Sequence, residues 1–425
     1  MAEARKTRRV APFGPVHKPG QNGLERRTNS MFGQGEVDVA IMLHDLAETG
    51  VARNALAIAG AAHHEGLCTE IWVVDETGPL VAQIPLGVGL VRLSGLGPKW
   101  KNRRLAGIAA IGSLARAYCK RRPRIALSAG NHFHIMGSAA YLLAGSPTSV
   151  RLLFRASNPP FRGRYVRVGV FLAWLYRLRF RGARRIISVS EELREILVKE
   201  IRLDPNRVVT NSNSIDLKDA AARAAQSLEH PWFMSGEPPV ILGIGRLAPQ
   251  KNFSLLIRAF ARARHKRTSR LVIIGDGAGD ELAKLQALAA SLDLTSADIW
   301  FARHQSNPLK FLARAGLFLL SSDWEGMSNV LLEAMACGCA IVATDCPTGV
   351  RELVGDTEMC RIVPVGDVAK MTQAIIDQLD ASPNREALRA KAALHDRKAA
   401  LKRYVAIFQD ELAQSYTLSD QQIPK

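Results

Sequence analysis

Short apolar runs alternate with helix-forming segments along nearly the whole chain, and this alternation constrains the fold most. The run Val37-Asp38-Val39-Ala40-Ile41-Met42-Leu43 is rich in β-branched residues and too short for a stable helix. Alanine-rich Ala52–Glu65 reads as the helix that follows, with Gly66 as its stop. Strand readings then fall at Thr69–Val74, Val88–Leu93, Arg124–Ser128, Val150–Arg155, Arg185–Val189 and Arg207–Val209. Helix readings fall between them at Arg103–Cys119, His134–Ala144, Tyr165–Arg181 and Glu191–Glu200. Strand and helix in alternation predict a parallel sheet covered on both faces.

The pattern restarts after Pro238-Pro239. Strands are predicted at Val240–Ile244, Arg270–Ile274, Asp298–Phe301, Leu317–Leu320 and Ala340–Thr344, and helices at Asn252–Arg264, Asp280–Ser291, Pro308–Ala315 and Asp367–Leu379. At 425 residues the chain exceeds one typical domain. The expected division is a flexible basic tail (1–35), an N-terminal Rossmann-like domain (36–217), a linker (218–239), a C-terminal Rossmann-like domain (240–385) and a helical segment (386–425) packing back on the first domain. Two such α/β domains face each other across a cleft at the carboxyl ends of their strands, where ligands bind.

The net charge of +18 is unevenly placed. Residues 1–235 hold 34 Lys and Arg against 18 Asp and Glu, whereas residues 236–425 hold 23 against 21. From Thr77 to Ser190 there is no acidic residue but 20 basic ones. Such a field attracts polyanions, among them anionic lipid headgroups and phosphate-bearing substrates. Phe161–Arg185 interleaves eight Arg with aromatic and aliphatic residues, which suits an anionic membrane surface and also an Arg-faced buried helix. No secretory signal or membrane-length apolar run is visible, and the six Cys lack zinc-ligand spacing. The expectation is a cytoplasmic protein with reduced thiols, peripheral on the inner face of a membrane.

The densest local signal is the stretch from Glu325 to Gly338. Glu325 precedes Gly326, and Glu333 lies eight positions on, inside a helix reading that begins near Asn329. This aims a loop carboxylate, loop N–H groups and a helix N-terminus at one volume. Carboxylates accept hydrogen bonds from sugar hydroxyls, so the group suits the phosphate and sugar parts of a nucleotide sugar. An ordinary capped helix with a solvated glutamate also fits these two residues alone. Upstream, Gly243-Ile244-Gly245-Arg246 follows a strand directly and Lys251 opens the next helix. That pair of cations suits a diphosphate leaving group. Gly275-Asp276-Gly277-Ala278-Gly279 is a second glycine-rich turn but not a dinucleotide fingerprint.

Taken in order, Gly245-Arg246-Leu247…Lys251-Asn252-Phe253, Ile274-Gly275-Asp276-Gly277, Asn307-Pro308, Ser322…Glu325-Gly326…Asn329…Glu333-Ala334-Met335 and Ala343-Thr344-Asp345…Arg351-Glu352-Leu353 resemble the C-terminal domain of family 4 glycosyltransferases. The resemblance covers about 240–355 and rests on five agreeing motifs. It implies the GT-B fold and metal-independent, retaining transfer of a hexosyl or N-acetylhexosaminyl group, with no cofactor beyond the nucleotide sugar. Arg246 and Lys251 would grip the donor diphosphate, Glu333 the ribose, and Glu325 with the N–H groups of Gly326, Met327 and Ser328 the transferred sugar. Gly50, Gly245, Asp276, Gly277, Asn307 and Asn329 complete the expected donor-binding set. The first half resembles the family more weakly. Thr49 stands where the family has a glycine and Ser214 where it has a proline. His132 is the implied contact to the transferring sugar, with His134 as competitor, and Arg155 and Asn158 line the acceptor side.

The implied role is glycan biosynthesis, on a polysaccharide or lipid-linked acceptor of the cell envelope. A nucleotide-sugar 2-epimerase of the same fold is an alternative, but it would need N-domain carboxylates, which Thr77–Ser190 lacks. A nucleic-acid-binding protein would use the basic half yet leave the second-half motifs unexplained, so no nucleic-acid partner is expected.

Overall fold

The computed structural model describes residues 36–93, 103–159, 170–277, 279–355, 360–381 and 384–419. The expected basic tail, residues 1–35, lies outside them. Among the described residues thirteen strands form two sheets, all of whose pairings are parallel. The first holds β1 (Val39–Leu43), β2 (Thr69–Val73), β3 (Gly89–Arg92), β4 (Ile125–Ser128), β5 (Arg151–Ala156), β6 (Ala183–Ser188) and β7 (Val208–Thr210) in the order β3-β2-β1-β4-β5-β6-β7. The second holds β8 (Val240–Ile244), β9 (Arg270–Ile274), β10 (Ile299–Arg303), β11 (Leu317–Leu320), β12 (Ile341–Thr344) and β13 (Cys360–Val363) in the order β10-β9-β8-β11-β12-β13. Central strands such as β1, β4, β8 and β11 are buried throughout, because helices cover both faces of a parallel sheet.

The strand order reverses between β1 and β4 and again between β8 and β11. Ligands bind in the crevice at such switch points. The loops leaving these four strands carry Glu48–Gly50, Asn131, Gly245–Lys251 and Ser321–Ser328, so topology alone gathers most of the expected site.

Several elements differ from expectation. The first helix starts at Gly50 rather than Ala52, because the Thr49 hydroxyl accepts from Ala52 N–H at 3.2 Å. The described part of the helix expected over Tyr165–Arg181 runs Val170–Arg179. The segment read as linker carries helix Leu217–Ala224, whose N-cap Asp216 accepts from the N–H groups of Lys218 and Asp219. The chain past Arg385 is two helices, Arg385–Ala393 and Arg397–Ser419. Between them the backbone pairs with Ile215, which donates to His395 O at 2.9 Å and accepts from Arg397 N–H at 3.0 Å.

Helix Arg397–Ser419 returns to the first sheet. Tyr404, Phe408 and Leu412 join the core formed by Leu56, Ile58, Leu127 and Ile187. Glu411 is buried there among three guanidinium groups: Arg151 Nη1 and Arg184 Nε at 3.1 Å, and Arg185 Nε at 2.8 Å. A buried carboxylate tolerates such a place only when paired and hydrogen-bonded this fully.

Candidate active site

The two glycine-rich turns of the second domain lie against each other. A Cβ at Gly275 would fall 1.9 Å from Gly245 O, and one at Gly277 would fall 2.5 Å from Leu247 O. The contact is sealed by Gly245 N–H on Ile274 O at 3.0 Å and Leu247 N–H on Asp276 O at 2.8 Å. Asp276 and Gly277 thus brace the loop that carries Arg246, and the Asp276 carboxylate pairs with Arg303 at 2.5 Å. Arg246 itself is exposed and makes no hydrogen bond or ion pair among the described residues. Gly245 leaves space for the Lys251 stem, whose Cε would lie 3.1 Å from a Cβ there.

Loops 249–252 and 321–325 are stitched together. Asn252 Nδ2 donates to Asp323 Oδ1 at 2.8 Å, Gln250 Nε2 to Trp324 O at 2.8 Å, and Ser321 Oγ to Lys251 O at 2.7 Å. The result is a buried ion pair, Lys251 Nζ to Glu325 Oε1 at 2.6 Å. Ser322 Oγ donates to the same oxygen at 2.6 Å. No described residue bonds Glu325 Oε2.

Beyond Glu325 the chain runs along the first domain. A Cβ at Gly326 would lie 1.8 Å from Ser157 O and 3.1 Å from Asn158 Cα, so only glycine permits this approach. Met327 O accepts from Asn213 Nδ2 at 2.8 Å. Ser328 caps helix Asn329–Cys337, accepting from Leu331 N–H at 3.4 Å. Asn329 faces the start of the first helix, where a Cβ at Gly50 would meet its Nδ2 at 2.3 Å. Its Oδ1 is buried with no partner among the described residues.

Glu333 stands one turn beyond Asn329 on the same helix face. It has no hydrogen bond or ion pair among the described residues. Burial pushes its carboxyl above the ordinary range, against the opposing pull of Arg53, Arg223 and Arg397. The half-buried carboxylate thus lies within the field of three arginines without a hydrogen-bond donor among the described residues.

Two further links join the domains. Glu48 Oε2 meets His304 Nε2 at 3.0 Å, and its other oxygen pairs with Arg53. Burial raises the Glu48 carboxyl, but Arg53 and His304 outweigh it, and the net displacement is downward. Glu352 Oε2 accepts from the N–H groups of Glu191 and Glu192 at 2.7 and 3.4 Å, while Glu192 Oε2 accepts from Gly349 N–H at 2.7 Å. Each domain thus lends a carboxylate to a helix N-terminus of the other.

Three expected ligand contacts fall elsewhere. Asn307 is occupied as a structural tie: its amide donates to Arg223 O at 2.8 Å and Gln226 Oε1 at 2.9 Å, and its oxygen accepts from Leu309 N–H. Arg155 is buried, donating to Tyr404 Oη at 3.0 Å and to Asn213 Oδ1, so it anchors the C-terminal helix rather than an acceptor. His134 is a core residue, stacked on Phe154 with centroids 4.5 Å apart and hydrogen-bonded to Ser128 Oγ at 2.7 Å. The His132 side chain lies outside the described residues. Asn158 does reach the cleft wall, its carbonyl accepting from Asn131 Nδ2 at 2.9 Å. Ser322, Asn131 and the Glu48–His304 pair were not anticipated. The hydroxyl three residues before Glu325 was the one local sign of them.

A family model described as glycosyl transferases group 1 matches residues 238–381, and one described as Glycosyltransferase Family 4 matches residues 49–219. The N-acetylgalactosamine-N,N'-diacetylbacillosaminyl-diphospho-undecaprenol 4-alpha-N-acetylgalactosaminyltransferase of Campylobacter jejuni is 34% identical over 219 residues, 52% of this chain and 57% of that enzyme. The chain spans about half the length of the first curated relatives it matches. Among solved structures, sucrose-phosphate synthase from Thermosynechococcus elongatus superposes with a TM-score of 0.71 at 16% identity, covering 89% of this chain and 99% of that one. Anabaena HepE in complex with UDP and glucose superposes at 0.64 and 16% identity, covering 90% and 100%. At such identities the structural likeness shows the fold, GT-B.

Proposed function

This chain belongs to glycosyltransferase family 4, and from that we propose that it transfers a sugar from a nucleotide-diphosphate donor to a glycan or lipid-linked acceptor in cell-envelope polysaccharide or glycolipid synthesis. The observation that carries this reading is the contrast between the two glutamates. Glu325 is held through one oxygen by Lys251 and Ser322, and Glu333 waits without a donor. The ribose hydroxyls of the donor would supply what Glu333 lacks. Glu325 Oε2 and the N–H groups after it would hold the transferred sugar, and Arg246 with Lys251 would take the diphosphate.

In the transfer, the bond from the anomeric carbon to the phosphate oxygen breaks as the acceptor oxygen bonds on the same face. The acceptor proton passes to the departing phosphate oxygen. Charge grows on the leaving group, so cations fixed beforehand lower the barrier without reorganising. This retaining course needs no separate general base, and the two cations serve where a metal would otherwise be used. The name of the Campylobacter relative supports an N-acetylhexosaminyl donor and a polyisoprenyl-linked acceptor, and with it a place on the inner face of the membrane.

A panel of nucleotide sugars scored by thermal stabilisation tests the reading. A donor at about 100 times its Kd stabilises the folded state by about 2.7 kcal/mol, and the donor that does so should also support transfer. If no nucleotide sugar shifts the melting temperature, the reading fails.

A further inference from the structure

Nine large apolar side chains are exposed among the described residues, among them Ile135, Leu142, Leu143, Trp174, Leu175 and Leu178. These six belong to two helices of the first domain, Asn131–Leu143 and Val170–Arg179. A groove of about 480 Å³ lies between the two, lined by Ile135, Leu142, Leu175 and Leu178 and by Arg179 and Arg181. Ser138 Oγ donates to the carbonyls of Arg179 and Arg181 at 3.3 and 2.8 Å, which ties the backbone at the end of the second helix to the first. Scattered apolar residues on a surface are ordinary, but a contiguous set on two adjacent helices marks an interaction face.

The charge around the patch selects the occupant. It lies in the stretch from Thr77 to Ser190 that has no acidic residue. The loop that meets these helices is held from the basic side, Arg177 Nε and Nη2 donating to Arg202 O at 3.2 and 2.7 Å. A rim of Arg around exposed Leu and Trp is complementary to a surface that is anionic outside and hydrocarbon within. No helix among the described residues is long and apolar enough to cross a membrane, so such a face would lie on the bilayer. We propose that the paired helices Asn131–Leu143 and Val170–Arg179 form the docking face for an anionic lipid bilayer, with Leu142, Leu175 and Leu178 entering the interface and Arg179 and Arg181 meeting headgroups.

The placement has a geometric consequence. Asn131, at the start of the first of these helices, touches Ser157 and Asn158 at the cleft wall. At about 1.5 Å per residue, Leu142 lies roughly 16 Å farther along the axis. A bilayer on this face therefore sits beside the acceptor side of the cleft, where a lipid-linked acceptor would enter. That orientation rests on the proposed function; the docking itself does not.

Co-sedimentation of the full chain with vesicles tests it, using phosphatidylcholine alone or with about one third phosphatidylglycerol, in the absence of substrate. The wild type should bind the anionic vesicles and not the neutral ones. R179Q/R181Q should weaken binding by at least about tenfold, at roughly 1 kcal/mol per basic residue at an anionic surface, and L142Q/L178Q should weaken it at least as much by removing buried apolar area, while both keep the wild-type circular dichroism and melting temperature as proof of folding. Wild type that binds neither vesicle overturns membrane docking. Anionic binding that survives both double variants overturns this face as its site. A wild-type dimer that these variants convert to monomer, with vesicle binding unchanged, assigns the face to a second copy of the chain and overturns the proposal.

Discussion

Lys251 Nζ and Ser322 Oγ meet on one oxygen of Glu325, each at 2.6 Å, deep in the cleft. The carboxylate is therefore fixed in direction before any donor arrives, and its second oxygen has one place to point. Fixing a polar group in advance removes its reorganisation from the reaction barrier.

Removing these groups should separate their roles. Glu325→Ala and Arg246→Ala should each lower kcat by about 10²- to 10³-fold, the range seen when one preorganised charge contact is lost. Ser322→Ala should cost less, falling mainly on kcat with KM for the donor little changed, since it orients Glu325 rather than touching substrate. Steady-state kinetics with the stabilising donor would check this; wild-type turnover in both Glu325→Ala and Arg246→Ala would refute the site.

Glu333 has a raised carboxyl pKa in the folded protein. A raised folded pKa means that the native state holds the proton more tightly than the unfolded chain. The associated stability is full below the unfolded pKa and is lost as pH rises through the folded value. Glu333→Gln should therefore melt higher than wild type at neutral pH, with the gap closing as the pH falls below about 4.5. The same variant should bind donor at least about tenfold more weakly, since a charged hydrogen bond is worth about 1.5–3 kcal/mol. Melting curves across pH, with and without donor, would show both effects.

Gly326 faces Ser157 O with no room for a methyl group. Gly326→Ala should leave donor binding to the second domain largely intact while holding the domains apart. The expected outcome is a fall in kcat of more than about tenfold, or about 1.4 kcal/mol of barrier, and a larger radius of gyration by small-angle scattering. Unchanged dimensions and rate would show that the contact is dispensable.

Glu411→Ala leaves Arg151, Arg184 and Arg185 facing one another without their shared counter-ion. Breaking a buried pair of this kind costs about 3–5 kcal/mol. Chemical denaturation should show that loss, and Glu411→Gln should recover only part of it.

How far the sequence could be read depended on how local each feature was. β8, β9 and β11 fall on their expected bounds, because each is a short apolar run (headed by Arg270 in β9) closed by glycine, proline or a turn. Helix Asn329–Cys337 was likewise legible, since its cap, its closing glycine, Glu333 and the loop carboxylate Glu325 lie within a few turns. Helix Val350–Val354 and strand Cys360–Val363 were missed, being too short to show a period. Arg155 misled for a different reason. An arginine at a strand end looks like a ligand contact, and only a tyrosine 249 positions away shows that it is a structural anchor. The Glu48–His304 bridge, 256 positions apart, was hidden in the same way.

The return of helix Arg397–Ser419 to the first sheet sets an order on biosynthesis. Tyr404, Phe408 and Leu412 complete a core whose other members are made more than 200 residues earlier. The ribosome therefore releases β1 to β7 with that face uncovered and the site of Glu411 vacant between three arginines. The second domain takes Leu388 and Ala392 into its own core, so it too closes only near the end of synthesis. The half synthesised first thus waits longest for its final packing, and until then its exposed apolar face is a natural client for a chaperone.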